Sequence, residues 1–167
     1  DYGTMDLVQV YVTLLTSLTT CCLTEAIFVF PKSQLLIKQK SYFTSGLLFS
    51  LGTLSLTGLL FILLISILRW LSYDGIFVEY NLYIFLIICV TFFQSYVQQF
   101  VRSIDKVKVY VVSGVVLTLT TVLSSLIFLP LWGIDGYIYS MILSYFVAAI
   151  YTVIAGKEYS YFSLRLL

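Results

Sequence analysis

The sequence predicts an all-α fold, a polytopic transmembrane helix bundle with five spans in this chain. Of its 167 residues, 60% are apolar and only 10% are charged. The mean hydropathy is +1.03. A soluble domain of this length would need more charge to cover its surface. The long apolar runs also lack the period-two alternation of a lipid-facing β-barrel, so we expect helices rather than strands.

Five apolar segments are long enough to cross a bilayer, which takes about 20 residues at a rise of 1.5 Å per residue. They cover approximately residues 7–30, 45–71, 80–101, 107–131 and 136–155. Each is bounded by charged residues, proline or glycine. We predict that residues 1–167 form a single transmembrane domain.

The basic residues alternate between the ends of these spans. One side holds Lys32, Lys38, Lys40, Arg102, Lys106, Lys108, Lys157 and Arg165, and the other side holds Arg69. Under the positive-inside rule, the lysine-rich side is cytoplasmic. We therefore expect the amino terminus of the chain to lie outside and its carboxy terminus to be cytoplasmic. An outward start without a signal peptide favours a fragment that lacks at least one upstream span.

The third span carries a polar ridge made of Thr91, Gln94, Ser95, Gln98 and Arg102. Their i, i+3, i+4 spacing places them within about 100° on one helix face. Two glutamines and an arginine are a poor surface to present to lipid, so the ridge should face protein or water. One interpretation is a cavity open to the cytoplasm. The alternative is that the glutamines bond to neighbouring helices.

The first span contains one acid, Glu25, and a hydroxyl stripe. Intramembrane acids usually face the bundle interior and carry function, although Glu25 also lies close enough to the helix end for an ion pair with Lys32. Both interpretations stay open. The stripe consists of Thr13, Ser17, Thr20 and Thr24. For this stripe, helix packing is the favoured interpretation.

The chain lacks the residues of most catalytic sites. It has no histidine. We find no phosphate-binding glycine loop, no nucleophile elbow and no close acidic pair for metal or glycoside chemistry. We therefore expect no enzyme, no cofactor, no metal site and no nucleic-acid partner. The three cysteines lie in apolar runs and are interpreted as packing residues.

Two stretches resemble a known family. The first is DYGTMDLVQVYVTLLTSLTTCCLTEAIFVF, with its "YG…DL" start and "EA-F-F" end. The second is FVRSIDKVKVY together with LWGIDGY, which is similar to an "F-R…K-K-Y" loop and a "G-GY" turn. These motifs resemble bacterial polysaccharide-biosynthesis flippases of the multidrug/oligosaccharidyl-lipid/polysaccharide exporter superfamily, in the order of spans two to six.

The resemblance implies part of the amino-terminal lobe of a two-lobed transporter in the bacterial cytoplasmic membrane. Its substrate would be an undecaprenyl-diphosphate-linked oligosaccharide used for O-antigen or capsule. The expected substrate-binding residues are Arg102, Gln98, Gln94, Thr91 and Glu25, with Arg102 suited to a diphosphate because its planar fork bonds two oxygens. The expected partners are membrane lipids, a possible coupling cation and the carboxy-terminal lobe. The alternatives are a cation-coupled multidrug exporter that uses Glu25, a non-transporting scaffold, and a truncated remnant.

Overall fold

The computed structural model describes residues 2–20, 27, 29, 36–72 and 75–157. These residues contain helices and no strands, so the all-α prediction is confirmed. The helices are α1 Tyr2–Thr20, α2 Leu36–Trp70, α3 Ile76–Glu79, α4 Asn81–Ser103 and α5 Val107–Ala155. Helix α2 begins at Leu36 rather than near residue 45, so its first turns precede the predicted span.

Three helices in the described part of the chain are long and apolar enough to cross a membrane, namely α2, α4 and α5. The membrane prediction therefore holds at this level. The five predicted spans do not appear as five membrane-length helices. Helix α1 is not one of the three helices that are long and apolar enough, and α5 covers two of the predicted spans. The outer faces of α2 and α5 expose many leucine and isoleucine side chains, as expected for contact with lipid.

Helix α5 reverses its direction at Gly133, where φ is 58° and ψ is −127°. Glycine adopts this conformation without the steric cost that a Cβ would bring. The hydroxyl oxygens of Ser125 and Ser140 lie 3.1 Å apart, and those of Ser124 and Ser144 lie 3.4 Å apart. In a straight helix, residues 15 apart would be separated by about 22 Å. α5 therefore consists of two antiparallel arms, a first arm (107–132) and a second arm (134–155).

The two arms approach closely at Gly136. A Cβ placed on this residue would lie 2.1 Å from the carbonyl oxygen of Phe128, so a side chain does not fit here. Pro130 lies in the last turn of the first arm. It has no backbone N–H to donate, which weakens the helix just before the reversal.

Two clusters of buried side chains define the ends of the bundle. The cluster around Phe77, which we call the Phe77 end, contains Val8, Val12, Phe61, Ile65, Ile84, Ile87, Ile88, Ile138 and Met141. The cluster around Phe100, the Phe100 end, contains Ile27, Phe43, Tyr96 and Val97. The Phe77 end thus joins the start of α1, the end of α2, and the starts of α4 and the second arm. Consecutive long segments therefore run in alternating directions.

Charge is distributed unevenly between these ends. Among the described residues, the Phe100 end carries Lys38, Lys40, Arg102, Lys106, Lys108 and Lys157 with one acid, Asp105. The Phe77 end carries Asp6, Glu79 and Asp135 with one base, Arg69. The predicted grouping of the basic residues on one side is therefore present in the fold.

Candidate functional site

A polar pocket of about 300 Å³ lies between α1, α4 and the second arm of α5. It is lined by Gln9, Val12, Thr13, Thr16, Ser17, Thr20, Thr91, Ser95, Gln99, Met141 and Tyr145. Eight of these eleven side chains are Ser, Thr or Gln, and Tyr145 adds a phenol hydroxyl. None of these described lining residues carries a formal charge. Such a lining binds through hydrogen bonds rather than through ion pairs.

The α1 wall of the pocket presents hydroxyl groups whose hydrogens are already used. Thr13, Thr16, Ser17 and Thr20 each donate to a carbonyl three or four residues earlier in the same helix, at 2.6–2.9 Å. Their oxygen lone pairs stay available as acceptors. The predicted hydroxyl stripe thus lines a pocket at Thr13, Ser17 and Thr20, whereas packing was the favoured interpretation. Thr24, the fourth residue of the stripe, lies outside the described residues.

The α4 wall is formed by Thr91, Ser95 and Gln99, which follow one another at intervals of four residues and share one helix face. The Thr91 hydroxyl differs from those of α1. In the described part of the chain, its Oγ1 is the one buried side-chain polar atom that has no hydrogen-bond partner. A buried hydroxyl without a partner costs about 1–3 kcal/mol.

The other residues of the predicted ridge, Gln94, Gln98 and Arg102, are not among the lining residues. Their side chains make contacts within α4 and with the first arm of α5. Gln94 is 3% exposed, and its Nε2 donates to Oε1 of Gln98 at 3.0 Å. The Nε2 of Gln98 donates to Oγ of Ser113 at 3.1 Å. The guanidinium of Arg102 lies 5.5 Å from the ring centre of Tyr110, a cation–π distance.

The ridge therefore divides between two neighbours. Of the residues expected to bind substrate, Thr91 lines the pocket, whereas Gln98 and Arg102 contact the first arm and Gln94 bonds to Gln98 within α4. Gln98 follows the alternative interpretation, in which the glutamines bond to neighbouring helices. Glu25 lies outside the described residues.

Four polar lining residues were not singled out in the sequence: Gln9, Thr16, Gln99 and Tyr145. Gln99 carried a usable signal, because it continues the four-residue spacing of Thr91 and Ser95. Gln9 is held by the second arm, since the Tyr137 hydroxyl donates to its Oε1 at 3.2 Å. Because Oε1 of Gln9 accepts this bond, the group that Gln9 can offer to a ligand is its side-chain amide N–H₂. Nothing in the local sequence marks Tyr145 as part of a site.

A second cavity, of about 350 Å³, lies between α1 and α2 and is different in character. Its lining is mainly aliphatic and consists of Leu15, Leu18, Thr19, Thr53, Leu56, Thr57, Leu60, Phe61 and Leu64. The three threonines donate to carbonyls of their own helices. The polar pocket is therefore the better candidate for a site that recognises a ligand. Within the described residues, no group of histidine, cysteine, aspartate or glutamate could hold a metal ion.

Comparison with known proteins identifies no relative of this chain: no protein-family model matches it, and neither a curated protein nor a solved structure does. The pocket must therefore be interpreted from its own geometry.

Proposed function

We propose that this chain forms part of the amino-terminal lobe of a flippase that moves an undecaprenyl-diphosphate-linked oligosaccharide across the bacterial cytoplasmic membrane. The family and the substrate come from the motif resemblance. The fold contributes the arrangement of helices, and the polar pocket contributes a place for the sugar. The observation that carries the proposal is a pocket lined by hydroxyls and amides inside an otherwise apolar bundle.

Five membrane crossings are part of this proposal. The two arms of α5 have lengths of about 39 Å and 33 Å at 1.5 Å per residue, so each arm can cross a hydrocarbon core of about 30 Å. Helix α1 is shorter, at about 28 Å, but it packs against α2, α4 and α5. Together with α2 and α4, these segments give five crossings with alternating direction.

The charge distribution supports the Phe100 end as the cytoplasmic side. Six described basic residues lie there, and each contributes about 1 kcal/mol near an anionic lipid surface. Arg102 is three residues after Gln99, a distance of about 4.5 Å along the helix axis. A diphosphate bound at Arg102 would thus lie close to the Gln99 end of the pocket. Arg102 stays our candidate for that contact.

The described contacts favour none of the alternatives. The multidrug-exporter hypothesis depends on Glu25, which lies outside the described residues. A scaffold or a truncated remnant would not need a polar pocket, whose hydroxyl and amide groups displace apolar packing in the bundle.

Two adjacent glutamines allow a matched test in the full-length protein that contains this chain. Gln99 lines the pocket, whereas Gln98 bonds to Ser113. We expect Gln99→Ala to lower the amount of surface polysaccharide made per unit time by about two- to tenfold, the effect of one lost hydrogen bond to the substrate. The protein level in the membrane should stay unchanged.

Gln98→Ala is the control. It removes the bond to Ser113 and leaves the buried Gln94 amide without its partner, so it should lower stability by about 1–3 kcal/mol without a specific loss of transport. Polysaccharide is quantified on the cell surface, and the membrane fraction is immunoblotted. Normal polysaccharide in Gln99→Ala, at a normal protein level, would contradict the proposed role of the pocket.

A further inference from the structure

The chemistry of the pocket wall limits which ligands it accepts. On α1, four hydroxyls donate hydrogen bonds to carbonyls of their own helix and therefore present only acceptor lone pairs to the pocket. A surface made of acceptors attracts groups that carry O–H or N–H. It repels phosphate and carboxylate oxygens, which are themselves acceptors.

The opposite wall supplies a limited number of donors. Gln99 contributes an amide N–H₂. Gln9, a lining residue of α1 whose carbonyl oxygen accepts from Tyr137, adds a second amide N–H₂. These donors, together with the acceptors of α1, match a ligand whose groups both donate and accept. A sugar hydroxyl has this property.

Charged ligands find no partner in this pocket. An anion would need a cation or free N–H groups, and the described lining residues include neither lysine nor arginine. The backbone N–H groups of its walls belong to helix interiors, where they already donate to carbonyls. A cation would need a carboxylate, and the described lining residues include no aspartate or glutamate. Both charges are therefore disfavoured by desolvation.

We propose that the pocket binds an uncharged sugar ring of the oligosaccharide and discriminates against acidic sugars. This inference rests on the proposed function and specifies the substrate class. The volume of about 300 Å³ is at the lower limit of small-molecule sites, so the pocket holds a monosaccharide-sized unit rather than a whole oligosaccharide. The Tyr145 ring offers an apolar surface to one side of that unit.

A protection experiment tests this specificity. In the full-length protein, purified in detergent with its other cysteines replaced by alanine, Ser95→Cys places a thiol in the pocket. The rate of its alkylation by N-ethylmaleimide is measured with methyl glucoside, methyl glucuronide or methyl glucosaminide at equal concentration. These three ligands are neutral, anionic and cationic at pH 7. We expect the neutral glycoside to slow alkylation most strongly.

Two controls separate the pocket from general effects. Lys108→Cys lies at an exposed position at the Phe100 end, outside the pocket, and should react at the same rate with every ligand. Thr16→Val removes one acceptor of the α1 wall without changing the size of the side chain. It should raise the concentration of neutral glycoside needed for protection of Ser95→Cys by about fivefold. Thr118→Val, an exposed threonine of the first arm with the same helix bond, should have no effect.

Each other outcome overturns the inference. Equal or stronger protection by the glucuronide would show an anion site, and stronger protection by the glucosaminide would show a cation site. No protection by any ligand would show that the pocket does not bind sugars. The polysaccharide assay of Gln99→Ala is independent of these results. Lower polysaccharide together with protection by the glucuronide would leave the proposed function intact and refute the specificity.

Discussion

Replacing Gly136 with alanine should force the two arms of α5 apart. The added Cβ would lie 2.1 Å from the carbonyl oxygen of Phe128, whereas a relaxed C···O contact is about 3.3 Å. The arms must therefore separate locally by about 1.2 Å, or the backbone must bend. Overpacking of this kind costs about 1–3 kcal/mol. The hydroxyl contacts between the arms, at 3.1 and 3.4 Å, would weaken as well, at about 0.6 kcal/mol each.

One effect acts in the opposite direction. Alanine is favoured over glycine within a helix by about 1 kcal/mol. Gly114→Ala isolates that effect, because a Cβ at Gly114 meets no atom within 4 Å. We therefore expect Gly114→Ala to be slightly more stable than the parent and Gly136→Ala to be less stable by about 1–3 kcal/mol.

The free energy of unfolding of both variants can be measured by titrating the protein from mild-detergent micelles into sodium dodecyl sulfate while following helical circular dichroism. The comparison tests the reversal at Gly133 directly. If Gly136→Ala is as stable as Gly114→Ala, the two arms do not approach at Gly136. The antiparallel arrangement, and with it two separate crossings by α5, would then be refuted.

Two further predictions concern orientation and packing. In intact bacteria, Asp135→Cys should react with a membrane-impermeant maleimide, whereas Lys108→Cys should react only after the membrane is permeabilised. The opposite pattern would reverse the proposed topology. Tyr96→Phe should lower the free energy of unfolding by about 1 kcal/mol, because the buried Tyr96 hydroxyl donates to the carbonyl of Phe43 at 2.5 Å and the ring can keep its place. Unchanged stability in the same detergent titration would contradict a contribution from this bond.

The helical class and the reversal in α5 were predictable because they depend on local sequence. A continuous apolar run predicts a helix, and the glycines and acid between residues 131 and 136 interrupt it. The structure places the reversal at Gly133, inside the gap between the predicted spans 107–131 and 136–155. The start of α2 was less predictable. Its first turns contain lysines that ordinary hydropathy excludes from a span, although they continue the same helix.

The candidate site was predictable only in part, because it depends on how helices are arranged around α4. The i, i+3, i+4 spacing correctly selects a polar face on α4. It does not reveal that two different neighbours share that face. Residues three apart differ by about 60° around the helix axis, enough to place Ser95 against the pocket and Gln98 against the first arm. The position of α1 and the arms of α5 around α4 is a tertiary property.

The same limit applies to the hydroxyl stripe of α1, and it explains why composition alone does not locate a site. Ser55 and Ser66 of α2 also donate to carbonyls four residues earlier, yet both are exposed on the outer face of the bundle. Thr13 and Ser17 of α1 make the same kind of bond, from the hydroxyl to the carbonyl four residues earlier. In a lipid environment every such hydroxyl must satisfy its hydrogen within its own helix, because no water is present. The acceptor lone pairs that result have a use only where a cavity brings them together with donors, and in this chain Gln9 and Gln99 provide those donors. The site is therefore defined by the packing of α1 against α4 and the second arm rather than by any one of its residues.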